Sequence, residues 1–321
     1  VGEQIPPHAG SIQSYYYYLK SEGLAASTIS EHVKNLKRFM QWAKENNLIT
    51  EESGQAEIEQ LTYNELLSYV QYLKGEAITS TAKNGVSKTR KLSIPTLNNR
   101  INSIRKYYEH LKEEGKTISN PAKHLQIKGA VKKVIHNPLS YAELEKLYYD
   151  YQKYTEEKPI RESKQQLTKQ KSIVVLGLMI WQGIHSGELK KIEIDHIDLN
   201  KASIYIPSTA RSNSRKLKLT TMQILPMNNY INSLDKDQTY LIENNTYHLV
   251  ARIIKEVKGL NQSVSNARHI RASVILHWLK MYSKREVQYM VGHKWISSTE
   301  NYEVQQLEGL TDLLQKHHPF N

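Results

Sequence analysis

From Ser11 to Leu111 apolar residues recur at helical spacing, and the pattern stops at Asn120-Pro121. Such a stretch must fold as a bundle, because each amphipathic helix has one face to bury. Ser11 to Glu22 places Ile12, Tyr15, Tyr16 and Leu19 on that spacing. Ser27 is positioned to cap a second helix, whose apolar face is Ile29, Val33, Leu36, Phe39 and Met40. Thr62 with Glu65 forms a capping-box pattern ahead of Leu66, Leu67, Val70 and Leu73. A fourth helix follows Pro95, with Leu97, Ile101, Ile104, Tyr108 and Leu111 inward. Its outward side carries Asn98, Arg100, Arg105 and Lys106. Between these helices, Ala77 to Ser93 is polar and basic and reads as an exposed loop. The sequence thus predicts a helical N-terminal domain over residues 1–125.

Residues 126–138 have turn formers and basic charge (Lys128, Gly129, Lys132, Lys133, then Pro138) but little periodicity, and read as an interdomain linker. Helical signals return at Ser140-Glu143, a second capping box. Residues 151–171 are highly charged and read as a helix end and loop. Ile173 to Gln182 is an apolar core helix, broken by Gly183, with a new start near Ser186 or Gly187. Ala202 to Pro207 and Leu217 to Leu225 read as strands flanking a basic turn, Ser208 to Lys216. Helices are predicted at Thr246 to Lys258, Arg268 to Met281 and Lys284 to Val291, with an amphipathic tail from Leu307 to Lys316. The fold class is therefore mainly α with a small β-sheet, in two domains: 1–125, and 139–321 beyond the linker.

Composition narrows the function classes. Lys and Arg number 44 against 32 Asp and Glu, a formal charge of +12, which points to a polyanionic partner. Nucleic acid is the commonest such partner. Basic residues recur on the outer faces of several helices, including Lys34, Arg38, Arg100 and Arg105, which favours DNA. With no cysteine, disulfides, thiolate chemistry and Cys-bound zinc are excluded. No stretch reaches the roughly 20 apolar residues that span a bilayer. Val1 to Gly10 lacks the layout of a signal peptide, and the missing initiator Met points to an absent or processed N-terminus. A cytoplasmic, nucleoid-associated protein is expected. Tyrosine occurs 21 times, so no single tyrosine stands out except by its position.

The most informative segment is Ala267 to Val304. Arg268 and Arg271 open a buried helix, Gly292-His293 closes another, and Tyr302 follows His293 by nine residues. This resembles the C-terminal signature of the tyrosine recombinases, the phage-integrase, Xer and Cre family: H-x-x-R, then L-G-H, then the tyrosine. Ser297-Ser298-Thr299 resembles the S-T-T that precedes the family's tyrosine. Upstream, Gly183-Ile184-His185-Ser186-Gly187-Glu188-Leu189 resembles G-L-R-x-S-E-L, and Asp195 to Asp198 resembles the D-I-D after it. The turn at Ala210 to Lys216 stands where the family has a hairpin lysine. At motif level the resemblance covers Asn120 to Val304.

The resemblance implies a helical core-binding domain, a mixed α/β catalytic domain, and cutting and rejoining of double-stranded DNA through a 3′-phosphotyrosyl link. It implies no cofactor and no metal, because the bond energy is kept in the link. It further implies a homotetramer on two DNA sites, with accessory DNA-bending factors, and a tail that docks on a neighbour or folds back on its own domain. Tyr302, Arg271 and His293 match the family's catalytic positions. Three others depart: His185 replaces the first arginine, Arg268 replaces the histidine of H-x-x-R, and Arg211 aligns best with the hairpin lysine. Arg215, Lys216 and Lys218 are close enough to substitute for that lysine, and His269 replaces Arg268 if the helix start shifts by one residue. His185 and Arg268 together read as a reciprocal exchange that keeps one histidine and two arginines around the phosphate. An arginine at the hairpin is a poor proton donor, which leaves Lys216 or Lys218 as the leaving-group acid. Two alternatives stay open: a non-catalytic DNA-binding protein of the same fold, and a type IB topoisomerase-like enzyme.

Overall fold

The computed structural model describes residues 11–50, 54–81, 87–129, 137–157, 159, 163–243 and 245–303. The chain divides between Val131 and Lys132 into two compact units.

The first unit holds α1 (Ile12–Ser21), α2 (Ala26–Glu45), α3 (Gly54–Gln60), α4 (Tyr63–Gly75) and α5 (Ile94–Glu113). Its core brings Leu19, Leu36, Phe39, Leu73, Tyr107 and Leu111 together, each fully buried. The buried tyrosines keep their hydroxyls satisfied: Tyr15 donates to Ser103 O at 3.0 Å, and Tyr108 donates to Ile58 O at 2.8 Å. The box at Thr62 forms, with the Glu65 carboxylate accepting from the Thr62 N–H at 2.6 Å. α2 begins at Ala26 after Ala25, so Ser27 lies inside the helix rather than capping it.

Four further expectations change here. Residues 77–93 are not a plain loop: β1 (Ala77–Thr81) and β2 (Ser87–Lys91) pair antiparallel, with Thr79 opposite Thr89. Arg100 does not face outward; it is 4% exposed and ion-paired with Glu76. Arg105 is half-buried and bonds the carbonyls of Ala122 and Leu125, holding the segment after α5. The start of the expected linker also packs on this unit. Ile127 joins its core, and the Asn98 side chain pairs with both backbone groups of Ile127 at 2.9 Å. Lys34 and Arg38 are exposed on α2, as expected. Lys132, Lys133 and the tail at 307–316 lie outside the described residues.

The second unit comprises α6 (Tyr141–Glu157), α7 (Ser163–Trp181), α8 (Ser186–Leu189), a short 3-10 turn, and strands β3 (Ile197–Asp198), β4 (Ser203–Ile206) and β5 (Arg215–Lys218). Four helices follow: α9 (Thr221–Asn232), α10 (Thr246–Leu260), α11 (Ala267–Met281) and α12 (Lys284–Val291). The sheet is antiparallel in the order β3-β4-β5, with Ile204 opposite Leu217. α7 starts at Ser163, so most of the charged run after 162 is helix, not loop. The second strand ends at Lys218 rather than Leu225. Gln223 accepts from the Thr220 N–H at 3.0 Å and starts α9 there. α7 and α11 both contribute to the core, through Val175, Leu176, Leu178, Ile270 and Ile275. His277 stacks on Tyr141 with ring centroids 4.7 Å apart, and Trp278 is buried, so both are packing residues. Among the described residues no helix is long and apolar enough to cross a membrane.

The Arg100–Glu76 pair gives a direct test of the first unit. Glu76→Gln leaves a buried guanidinium without its counter-charge and should cost about 2 kcal/mol, less than a fully buried pair because the carboxylate is partly exposed. Hydrogen exchange of the α4 and α5 amides should accelerate accordingly. Adding Arg100→Met should recover most of that protection.

Candidate active site

The site is assembled around one carboxylate. α7 ends at Trp181, and Gly183 takes a left-handed backbone (φ 57°) that turns the chain. His185 then becomes the N-cap of α8. Its Nδ1 accepts from the Gly187 N–H at 3.0 Å, so its ring proton resides on Nε2. Its own N–H donates to Glu188 Oε2 at 3.1 Å. Glu188, in the next turn, is completely buried.

Two arginines converge on Glu188. β5 alternates, burying Arg215 and turning Lys216 and Lys218 outward. The Arg215 guanidinium makes a two-pronged contact, Nη1 to Oε1 at 2.6 Å and Nη2 to Oε2 at 3.3 Å. Both side chains are wholly inaccessible to solvent. Arg271, on α11, lies 3.6 Å from Glu188 Oε2, an ion pair beyond hydrogen-bond length. Its own hydrogen bonds run to the carbonyls of Gly183 and Val291, which fix the plane of its guanidinium. His185 Nε2 is 3.7 Å from the same carboxylate.

The α12 end closes the site. Gly292 is left-handed (φ 76°), and a Cβ there would run into the Arg215 guanidinium. The chain before β5 docks on this turn: the Asn213 N–H donates to Gly292 O at 2.8 Å, and Ser212 bridges to His293. Tyr289 accepts from the Lys216 N–H at 3.1 Å. Beyond it, residues 296–303 are helical and carry Tyr302. The Thr299 hydroxyl, fully buried, bonds His293 Nδ1 at 2.9 Å. The rings of His293 and Tyr302 stack, 5.8 Å between centroids and 16° between planes.

The charges set the protonation states. Burial raises the Glu188 pKa, but the Arg215 hydrogen bonds and charge, then Arg271, outweigh it and hold the carboxyl at about 2. One carboxylate between two arginines leaves a net positive charge at the site. Burial first, then Arg271 and Arg215, push His293 down to about 4, so its ring is neutral at neutral pH. His185 is also lowered, by burial first, with Arg271, Arg215 and Arg211 acting in the same direction against Glu188. Tyr302 lies within electrostatic reach of Arg271.

The structure thus brings together Tyr302, Arg271, His293 and His185. Arg211 lies exposed before β5, close enough for its charge to act on His185. Arg268 is exposed one turn before Arg271 and stands outside the network around Glu188. His269 is buried, within 3.1 Å of Asn137 O through Nε2, and has a packing role. The residue that sequence reasoning undervalued is Arg215, which was assigned to the basic turn. The signal was the strand alternation, in which Arg215 shares the inward face with Leu217. Among the described residues no group of three or more His, Cys, Asp or Glu could hold a metal ion.

Comparison with known proteins gives the fold. Residues 12–115 match the family model described as phage integrase, N-terminal SAM-like domain. The chain is similar to XerH site-specific recombinase bound to difH substrate in a pre-cleavage complex (TM-score 0.62, 16% identity, 91% of this chain and 82% of that one). It is also similar to XerH in a post-cleavage complex on palindromic difH (TM-score 0.60, 14% identity, 94% of each chain). A third similar structure is the Tn1549 transposon integrase with circular intermediate DNA (TM-score 0.59, 14% identity, 91% of this chain and 94% of that one).

Two predictions follow from the geometry. Gly292→Ala should destabilise the second unit by at least about 1–2 kcal/mol, the cost of a side chain in left-handed backbone, read by denaturant unfolding. Second, His293 binds its proton more weakly folded (about 4) than unfolded (6.5), so its contribution is complete above pH 6.5 and is lost as pH falls toward 4. Thermal stability should fall through that window, and His293→Gln should flatten part of the slope.

Proposed function

We propose that this chain, which resembles the tyrosine recombinases in fold and carries a match to the phage-integrase N-terminal domain, cuts and rejoins duplex DNA at specific sites with Tyr302 as nucleophile. The observation that carries this reading is the uncompensated positive charge at Glu188, Arg215 and Arg271, set beside the stacked His293 and Tyr302. A phosphodiester is the ligand such a site suits. A free phenol has a pKa near 10, so attack at neutral pH needs an environment that stabilises both phenolate and pentavalent phosphate.

In the proposed reaction the Tyr302 oxygen attacks phosphorus and loses its proton. The bond from phosphorus to the 5′-oxygen breaks, and that oxygen takes up a proton. A 3′-phosphotyrosyl link and a free 5′-hydroxyl remain. Attack by a second 5′-hydroxyl reverses the step on a new strand. Arg271 is held by two backbone carbonyls and offers its remaining N–H groups to a non-bridging oxygen. His293, neutral and bonded to Thr299 through Nδ1, donates from Nε2 to the other. Arg211 and His185 border the phosphate. The proton for the leaving oxygen comes from Lys216 or Lys218, the exposed lysines of β5, since arginine cannot give one up. Lys34 and Arg38 contact the DNA backbone from α2, as the sequence also suggests for Lys132 and Lys133 of the basic linker. The working form is a tetramer on two DNA sites, in the service of a mobile element.

Incubation with nicked duplexes from the protein's own genetic neighbourhood, followed by a denaturing gel, tests this reading. A covalent protein–DNA adduct that vanishes in Tyr302→Phe is expected. Retention of the same DNA with no adduct would support the non-catalytic alternative. Relaxation of supercoiled DNA without site preference would support the topoisomerase-like one. The acid is found with a substrate whose 5′-bridging oxygen is replaced by sulfur, which leaves without a proton. Whichever of Lys216→Ala and Lys218→Ala is slow on ordinary DNA and recovers on the sulfur substrate identifies it; equal impairment of both on either substrate would rule out a lysine of β5.

A further inference from the structure

We propose that Arg215 is a positioning residue of the site: its guanidinium, locked on Glu188 beneath Gly292, ties the hairpin and the His293 turn to the wall that holds Arg271. The inference rests on the reading of Tyr302 as nucleophile and names the residue that holds its surroundings in register.

Three observations carry it. Arg215 is wholly buried, and its Nε has no hydrogen-bond partner among the described residues, so a full charge has been placed where burial is costly. An apolar side chain of similar volume would pack there without that penalty. Second, its contacts span otherwise separate segments. It reaches Glu188 of α8, the Asn213 carbonyl ahead of β5, and the space left by the absent Cβ of Gly292, directly before His293. Third, among the described residues no other group does this work. His185 is 3.7 Å from the carboxylate and neutral, and Arg268 stands outside the network. The guanidinium that lies with Arg271 on Glu188 therefore comes from β5, and a reciprocal exchange between positions 185 and 268 is not needed to account for the site. Arg215 does not touch the phosphate; it acts through Glu188, Arg271 and the His293 turn.

The test compares full-length Arg215→Met, Arg215→Met with Glu188→Leu, and Arg215→Met with His185→Arg. Thermal stability, DNA retention and the rate of adduct formation are measured for each. Arg215→Met should retain DNA as the wild type does, while adduct formation slows by about 100-fold, the size of loss typical when one preorganised electrostatic group is removed. The Glu188→Leu double variant removes the carboxylate that lost its fork and should regain part of the stability, with Arg271 still held by the Gly183 and Val291 carbonyls, but not the rate. The His185→Arg double variant should regain part of the rate, since position 185 already faces the same carboxylate. Adduct formation at the wild-type rate in folded Arg215→Met, or recovery of rate together with stability in the Glu188→Leu double variant, would overturn the proposal. A DNA-independent readout separates its failure from that of the nucleophile assignment. In an NMR titration the His293 ring, faced by Arg271, Glu188, His185 and Tyr302 as well as Arg215, should protonate at higher pH in Arg215→Met. An unchanged titration overturns the proposal even if the wild type forms no adduct.

Discussion

The Glu188 carboxylate, buried between Arg215 and Arg271, is the interaction on which the second unit's site depends. It is the only negative charge in that cluster among the described residues, and it joins α8, β5 and α11 at one point. Removing a carboxylate from water is unfavourable, and the fork of Arg215, the nearby Arg271 and the His185 backbone N–H offset that cost. Because two cations share one anion, the offset leaves positive charge behind. That surplus, added to burial, helps keep His293 neutral and leaves positive charge beside it. A single ion triad thus ties the hairpin to the site, gives the site its charge and, added to burial, keeps His293 neutral.

Much of this was legible in the sequence. Capping boxes at Thr62 and Ser140 form as read, and the apolar faces of α2, α4 and α5 are the ones that pack inward, except that Leu67 of α4 is exposed. The motifs Gly183 to Leu189, Arg271, Gly292-His293 and Tyr302, far apart in sequence, are brought together in the fold.

What escaped the sequence did so for physical reasons. The strands at Ala77–Thr81 and Ser87–Lys91 are short and polar, and they pair through backbone groups that leave no apolar alternation to detect. The sequence places Arg100 on an outward helix face and Arg215 in a basic turn beside the hairpin position; whether an arginine is buried depends on a carboxylate contributed from elsewhere in the fold, Glu76 in one case and Glu188 in the other. The boundary between β5 and α9 was missed because the capping glutamine, Gln223, sits inside a run with strand-like composition. Single-residue periodicity reports which face is buried; it does not report which charge is waiting there.

On the proposed reading the site divides its labour. Arg271 and His293 meet the phosphate, Tyr302 attacks, a β5 lysine serves the leaving oxygen, and Glu188 with Arg215 keeps these groups in place. The central claim is that the surplus positive charge acts on the negative charge of the phosphate. The most direct measurement is the rate of adduct formation on two duplexes, one with an ordinary phosphodiester at the cleavage position and one with a neutral methylphosphonate there, for the wild type and Arg271→Ala. The account predicts that Arg271→Ala loses far more rate on the charged phosphate than on the neutral one. An equal loss on both would mean that Arg271 supports the fold of the site rather than the charge of the reaction, and would contradict it.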